Sequence, residues 1–243
     1  LKALLIILSL LYQSVSIPEA RHVEVPIFKL NFYLMGMTDV DEGVTVQIGK
    51  NIEYLNHEFE GQIKFELGSL RMDHHHAYIP DLHEAHLRSN HTLVDKIIDP
   101  VESNEGIHIY LFNTYSIKEG EGAMLGFTPV LSREHKHYSE ASPQFDRLYI
   151  SYPGLLDMTT LVHEMGHFLG LRHPWEMSDI SKFNLGLVDH HAERNHMSYH
   201  PEVDNFSGEQ LESMQYFALT FRSYLIDRVE HHSIAYTSAF GED

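Results

Sequence analysis

The sequence predicts an α+β domain: a mixed, twisted sheet with a backing helix and a second helix carrying the chemistry, then a smaller irregular lobe ending in a long helix. Strand-like and helix-like segments alternate early in the chain, and helical spacing dominates late. The hydrophobic share of 43% in 243 residues is enough for one sizeable core. No repeat, low-complexity tract or Pro- or Gly/Ser-rich linker divides the chain. Residues 17–243 therefore read as one domain, with a first lobe over about 22–173 and a second over about 174–243.

Leu1-Lys2, the apolar run 3–11 and the small residues Ser14 and Ser16 have the parts of a secretory signal peptide. The run is too short for a bilayer span, which takes about 20 apolar residues. Residues 1–16 thus read as a cleaved leader, with export to a secreted, periplasmic or extracellular location and no stable membrane anchor. Residues 23–35 are apolar and β-rich and read as a strand. Over 44–59, Val46, Ile48, Ile52, Leu55 and Phe59 recur at near-helical spacing before Gly61 stops them. Residues 62–72 alternate through Ile63, Phe65 and Leu67 as a strand.

The segment 73–86 is polar and reads as a loop. Its His74, His75 and His76, with His83 and His86, lack the acidic spacing of a second metal site. Residues 87–98 read as a short helix ending before Pro100. Two buried strands are expected at 107–112 and 147–152, with an edge strand over 122–128 between them in sequence. A helix over 155–169 follows, with Asp157 as N-cap and Gly170 as stop. The last helix is expected over 208–228, opened by a capping box of Ser207 and Gln210.

Charge and composition exclude several classes of function. The formal charge of −18, from 35 acidic and 17 basic residues, argues against nucleic acid and anionic membranes as partners. With no cysteine, disulfides, thiolate metal sites and cysteine nucleophiles are ruled out.

The decisive segment is His163-Glu-Met-Gly-His167-Phe-Leu-Gly170-Leu-Arg-His173. On a helix, positions four apart share a face, so His163 and His167 can hold one metal ion. Glu164 lies about 100° round from His163, beside the ligands and within reach of a metal-held water. His173 cannot reach the same ion from a straight helix; the chain must reverse, and Gly170 tolerates the positive φ such a turn needs. Three neutral imidazoles leave a fourth tetrahedral position open, which is the form of a catalytic zinc site. They also leave the ion's charge uncancelled, which lowers the pKa of its water to about 7. Glu164 would take the proton as water attacks a carbonyl and later pass it to the leaving group.

His-Glu-x-x-His-x-x-Gly-x-x-His is the signature of the metzincin metallopeptidases, which this chain resembles. Asn195-His-Met197-Ser-Tyr199, with its methionine 24 residues after His173, matches the clan's Met-turn. That segment, together with Phe206-Ser-Gly-Glu-Gln210, resembles the pappalysin family, which includes the cytophagalysin-like bacterial enzymes. Tyr54-Leu-Asn-His-Glu-Phe59 and Ile63-Lys-Phe65 also look like that family's backing helix and second strand.

The resemblance implies a metzincin-like catalytic domain and a secreted zinc-dependent endopeptidase acting on protein or peptide. It implies metal ligands His163, His167 and His173, with Glu164 and Tyr199 catalytic. Tyr199 would lie near the metal as a distant ligand or hydroxyl donor, and Met197 would form an apolar floor under the histidines. One Zn2+ is implied; Ca2+ sites of some members do not carry over, because the cysteine-bearing segment before the Met-turn has no counterpart here. Two other readings stay open: a catalytically silent zinc-binding or adhesion module, and a metal-dependent amidase on a non-protein substrate. The intact Glu164 counts against the silent module, because zinc binding alone does not need it.

Overall fold

Period-two alternation divides the sheet into a core face and an outer face. In β1 (Arg21–Met35), Phe28, Leu30, Phe32 and Leu34 enter the main hydrophobic core, while Lys29, Asn31 and Tyr33 face the other way. β3 (Ile107–Phe112) gives Ile107, Ile109 and Leu111 to the core, and β5 (Arg147–Ser151) gives Leu148 and Ile150. On the outer face Tyr33, Tyr110, Tyr149 and Phe127 stack in one row across four strands, at centroid spacings of 4.8, 5.7 and 4.4 Å. The computed structural model describes residues 21–35, 42–73, 105–112, 125–129, 146–188, 193–198 and 205–234. The leader at 1–16, the histidines of 74–86, the helix expected at 87–98 and Tyr199 lie outside the described residues.

The sheet is mixed: with β2 (Lys64–Asp73) and β4 (Gly126–Phe127), the strand order is β2-β1-β3-β5-β4. β1 runs parallel to β2 and β3, and β3 runs parallel to β5. β4 is the short strand Gly126–Phe127, antiparallel to β5 at the sheet edge, so the edge strand expected over 122–128 is present in shortened form. α1 (Glu42–Glu58) backs the core face with Ile48 and Leu55. Its Asn51 is wholly buried and donates to the Leu155 carbonyl at 2.8 Å, which ties α1 to the chain just ahead of the helix carrying His163 and His167.

The helix expected over 155–169 is two helices. α2 (Tyr152–Leu156) is capped by Ser151, whose Oγ accepts from Gly154 N at 2.8 Å. Asp157 then breaks the run in an extended conformation and caps α3 (Met158–Phe168), accepting from Thr159 N at 3.2 Å. The expected N-cap is correct, and the helix begins after it because a capping residue is itself non-helical. α4 (Asp179–Asn184) is short, and α5 (Gly208–Phe221) opens with the expected capping box.

The final helix does not run to residue 228. It ends at Phe221, and 226–234 form β6 (Ile226–Ile234), antiparallel to the first half of β1. Ile27 and Phe28 pair with β2 and β6 at once, so β6 occupies the β1 edge that β3 takes further along. The helix stops where Arg222 turns inward: its Nη1 donates to Asp146 at 2.8 Å and its guanidinium lies 4.4 Å from the Phe168 ring centre. Tyr224 donates to the same carboxylate at 2.5 Å. Charge ties β6 to β2 across β1, with Lys64 on Glu230 at 2.6 Å and Arg228 on Glu66, while Lys29 of β1 pairs with Glu66 at 2.5 Å. Helical periodicity cannot register a strand whose partner lies some 200 residues earlier in sequence.

Two outcomes follow from these ion pairs. Arg222→Ala leaves Asp146 buried without its cation and should lower unfolding free energy by about 3–5 kcal/mol, read by urea denaturation. Hydrogen bonds from Arg228 and then Lys29 hold the Glu66 carboxyl down at about 2, against an ordinary 4.5. A depressed acid contributes its stability in full above about 4.5 and loses it as pH falls through about 2. Urea midpoints should therefore fall less steeply over that window in Glu66→Gln than in the parent chain.

Candidate metal centre

α3 presents His163 and His167 one turn apart, and its C-terminal end reverses the chain toward a third histidine. Gly170 N donates to the His167 carbonyl at 3.0 Å and Leu171 N to the Gly166 carbonyl at 2.9 Å. These two bonds are a Schellman closure, with Gly170 in the left-handed region at φ 93°. A Cβ on Gly170 would stand 2.6 Å from the Phe217 ring. His173 then follows in an extended conformation, with Pro174 opening a 3-10 turn.

The three imidazoles converge. Nε2 of His167 lies 3.1 Å from Nε2 of His163 and 3.1 Å from that of His173, and the third separation is 3.3 Å. Nitrogen ligands 2.0–2.1 Å from a tetrahedral zinc stand roughly 3.3 Å apart, so the three positions fit one such ion. The opposite edges of the rings face oxygen. His163 Nδ1 lies 2.7 Å from the His196 carbonyl, His167 Nδ1 lies 3.0 Å from the Leu171 carbonyl, and His173 Nδ1 lies 3.3 Å from the Glu176 carboxylate. Carbonyl oxygens only accept, so the His163 and His167 ring protons sit on Nδ1, and the three Nε2 atoms face one another. That arrangement is repulsive without a cation and suited to one. Burial lowers the His163 pKa to about 4 and also lowers that of His173, which keeps both lone pairs available at neutral pH.

Glu164 follows His163 on α3 and is nearly wholly buried. Its Oε2 accepts from Thr128 Oγ1 at 2.8 Å, and the same hydroxyl lies 3.0 Å from the Glu164 carbonyl. Burial pushes the carboxyl up to about 8, against the lowering effect of Thr128. β4 runs beside it so closely that a Cβ on Gly126 would lie 2.9 Å from Glu164 Cγ and 3.0 Å from Thr160 Cγ2. Glycine at 126 thus sets the approach of the edge strand to α3.

Met197 is fully buried under α3 and abuts Gly166. The turn carrying it is held by a reciprocal amide pair: Asn195 Nδ2 donates to Gln210 Oε1 at 2.6 Å, and Gln210 Nε2 donates to Asn195 Oδ1 at 3.0 Å. Asn195 Oδ1 also accepts from Met197 N at 3.0 Å. Gln210 therefore both caps α5 and fastens this turn, a second role that its capping spacing did not reveal. Trp175 lies flat on the His173 ring, at 4.4 Å and 9°. Thr128, Trp175 and Glu176 were not anticipated; of these only Glu176 had a sequence signal, its position three residues after His173.

Among the described residues, the triad is the one group of histidine and acidic side chains arranged to hold a metal ion. Among the same residues no helix is long and apolar enough to cross a membrane.

No protein-family model and no curated protein matches the chain. Solved structures are similar to it, among them the following two. Metalloproteinase-II from Bacteroides fragilis shares 17% identity at a TM-score of 0.49, over 79% of this chain and 53% of that one. A structure described as a chaperone–substrate complex shares 14% identity at a TM-score of 0.47, over 83% and 36%. The chain spans about half the length of the first and about a third of the second.

Gly170→Ala places a side chain in a left-handed conformation, which costs about 1–2 kcal/mol, and drives it into Phe217. Urea denaturation should show at least that loss. A zinc titration should show weaker binding, because the same turn aims His173.

Proposed function

We propose that this chain is a zinc-dependent endopeptidase of the metzincin kind, closest to the pappalysin-like members, and that it is exported after removal of residues 1–16. The observation that carries the reading is the convergence of three Nε2 atoms with one buried carboxylate next to them in the helix. His163, His167 and His173 would hold the ion. Zinc, when bound, supplies an electrophile that polarises a substrate carbonyl and acidifies water beside it.

The chain's own groups would do the rest. Glu164 accepts a proton from water as the water oxygen bonds to the carbonyl carbon. It then delivers that proton to the amine as the carbon–nitrogen bond breaks. Thr128 keeps the Glu164 carboxylate in place through its hydroxyl. β4, running beside Glu164 at the sheet edge, is the strand along which an extended peptide would align. Tyr199 would donate its hydroxyl to the developing oxyanion, and Met197 supplies the floor beneath the ligands. The lobes at about 22–173 and 174–243 would bound the substrate cleft. Calcium has no part in this reading.

Casein or gelatin cleavage with and without a chelator tests it, together with metal analysis. Glu164→Gln should keep one zinc per chain and lose about 10²- to 10⁴-fold in cleavage rate. Cleavage that survives zinc removal, or that persists in the variant, would falsify the mechanism. Zinc bound tightly by a chain that cleaves no protein would instead support the silent module, or the amidase if small amides are hydrolysed.

A further inference from the structure

His163 depends on an oxygen that is itself held from the far side of the core. Its Nδ1 donates to the backbone carbonyl of His196, at 2.7 Å, in the turn just before Met197. The His196 side chain reaches toward α1. It is buried to 2% exposure, with its ring 4.8 Å from Phe206 and edge-on to Tyr54 at 6.4 Å. Its Nε2 lies 2.8 Å from Oε2 of Glu58, the last residue of α1.

Glu58 is itself 5% exposed, an unusual place for a carboxylate. Both of its oxygens are engaged. Oε2 accepts from His196, and Oε1 lies 3.2 Å from His57 Nδ1. Burial, and then the Glu58 carboxylate one helical turn further on, push the Tyr54 hydroxyl's pKa up. α1 is fixed to the sheet by Ile48 and Leu55 and to the start of α2–α3 by Asn51. Glu58 therefore stands on a rigid element and reaches the residue whose carbonyl orients His163.

A purely structural role does not account for this pair well. Burying a histidine and a carboxylate together costs desolvation that well-packed apolar residues of similar volume avoid. Groups behind a metal ligand, by contrast, set its tautomer and ring orientation, and their loss weakens metal binding about 10- to 100-fold.

Resting on the zinc-site reading above, we infer that Glu58 is a positioning residue for the metal centre: through His196 it fixes the carbonyl that orients His163. The chain of contact is α1 carboxylate, His196 side chain, His196 carbonyl, His163 Nδ1. It transmits the rigidity of the backing helix to one ligand of the triad.

Zinc affinity and zinc dissociation rate, measured on the full chain by competition with a chromophoric chelator, test this apart from activity. Glu58→Ala should release zinc at least about tenfold faster than the parent chain. Glu58→Gln retains an oxygen that can accept from His196 and should restore most of the loss. In a double-mutant cycle, Glu58→Ala should add little once His196 is replaced by alanine, because the two act in series. Wild-type zinc kinetics in folded Glu58→Ala, or equal losses in the Ala and Gln variants, would overturn the inference.

If Glu58→Ala does not fold, the apolar replacement Glu58→Leu with His196→Phe decides. It should fold and bind zinc at least about tenfold more weakly; unchanged zinc binding overturns the inference. His163→Ala serves as the control on the underlying reading. If that variant binds zinc as the parent does, the triad itself is refuted. If it loses zinc while Glu58→Ala does not, only the positioning role fails.

Discussion

Each triad histidine turns its Nδ1 toward an oxygen of the fold, and that commitment directs Nε2 inward. For His167 the oxygen is the Leu171 carbonyl, available only because the chain has reversed at Gly170. For His163 it is the His196 carbonyl, and for His173 the neighbouring oxygen belongs to Glu176. Two of the three orienting groups are therefore backbone atoms, whose positions are set by turns and not by side-chain rotamers. The metal geometry is consequently a property of the main chain on either side of α3, and loosening either turn loosens the site.

Around that point the fold is arranged to leave α3 little freedom. Its core side is covered by Leu161, Val162, Met165 and Phe168, all in the main hydrophobic cluster. Gly126 of β4 and Thr128 just after it limit the other flank. Phe168, at its last turn, lies against the Arg222 guanidinium, which pairs with Asp146 at the start of β5. The sheet, α3 and the end of α5 thus share one polar anchor, and the metal-site helix is held at its end by a group that touches no ligand.

Much of this was legible in the sequence, and what was not has a physical cause. The ligands, the glycine stop, the Asp157 cap and the Ser207–Gln210 capping box are local signals, fixed by spacing along one helix or one turn. Strands 1, 2, 3 and 5 showed themselves through alternation or apolar runs. β6 did not, because Asp227, Arg228, Glu230, His231 and His232 leave it almost no apolar pattern and it is held by pairing with β1. The break at Asp157 was hidden because an uninterrupted helical pattern does not show where one cap ends a helix and starts the next. Thr128 on Glu164, and Asn195 on Gln210, join segments far apart in the chain, and no single-sequence periodicity reports such contacts.

The indole laid flat on His173 has a consequence for how the molecule is observed. The chain contains one tryptophan, and it is this one. Light absorbed and re-emitted by that ring originates 4.4 Å from the His173 imidazole, so tryptophan emission reports on the surroundings of one member of the triad. Any cation drawing charge from His173 alters the ring its fluorophore rests against, which gives the protein an intrinsic optical probe at its most consequential point.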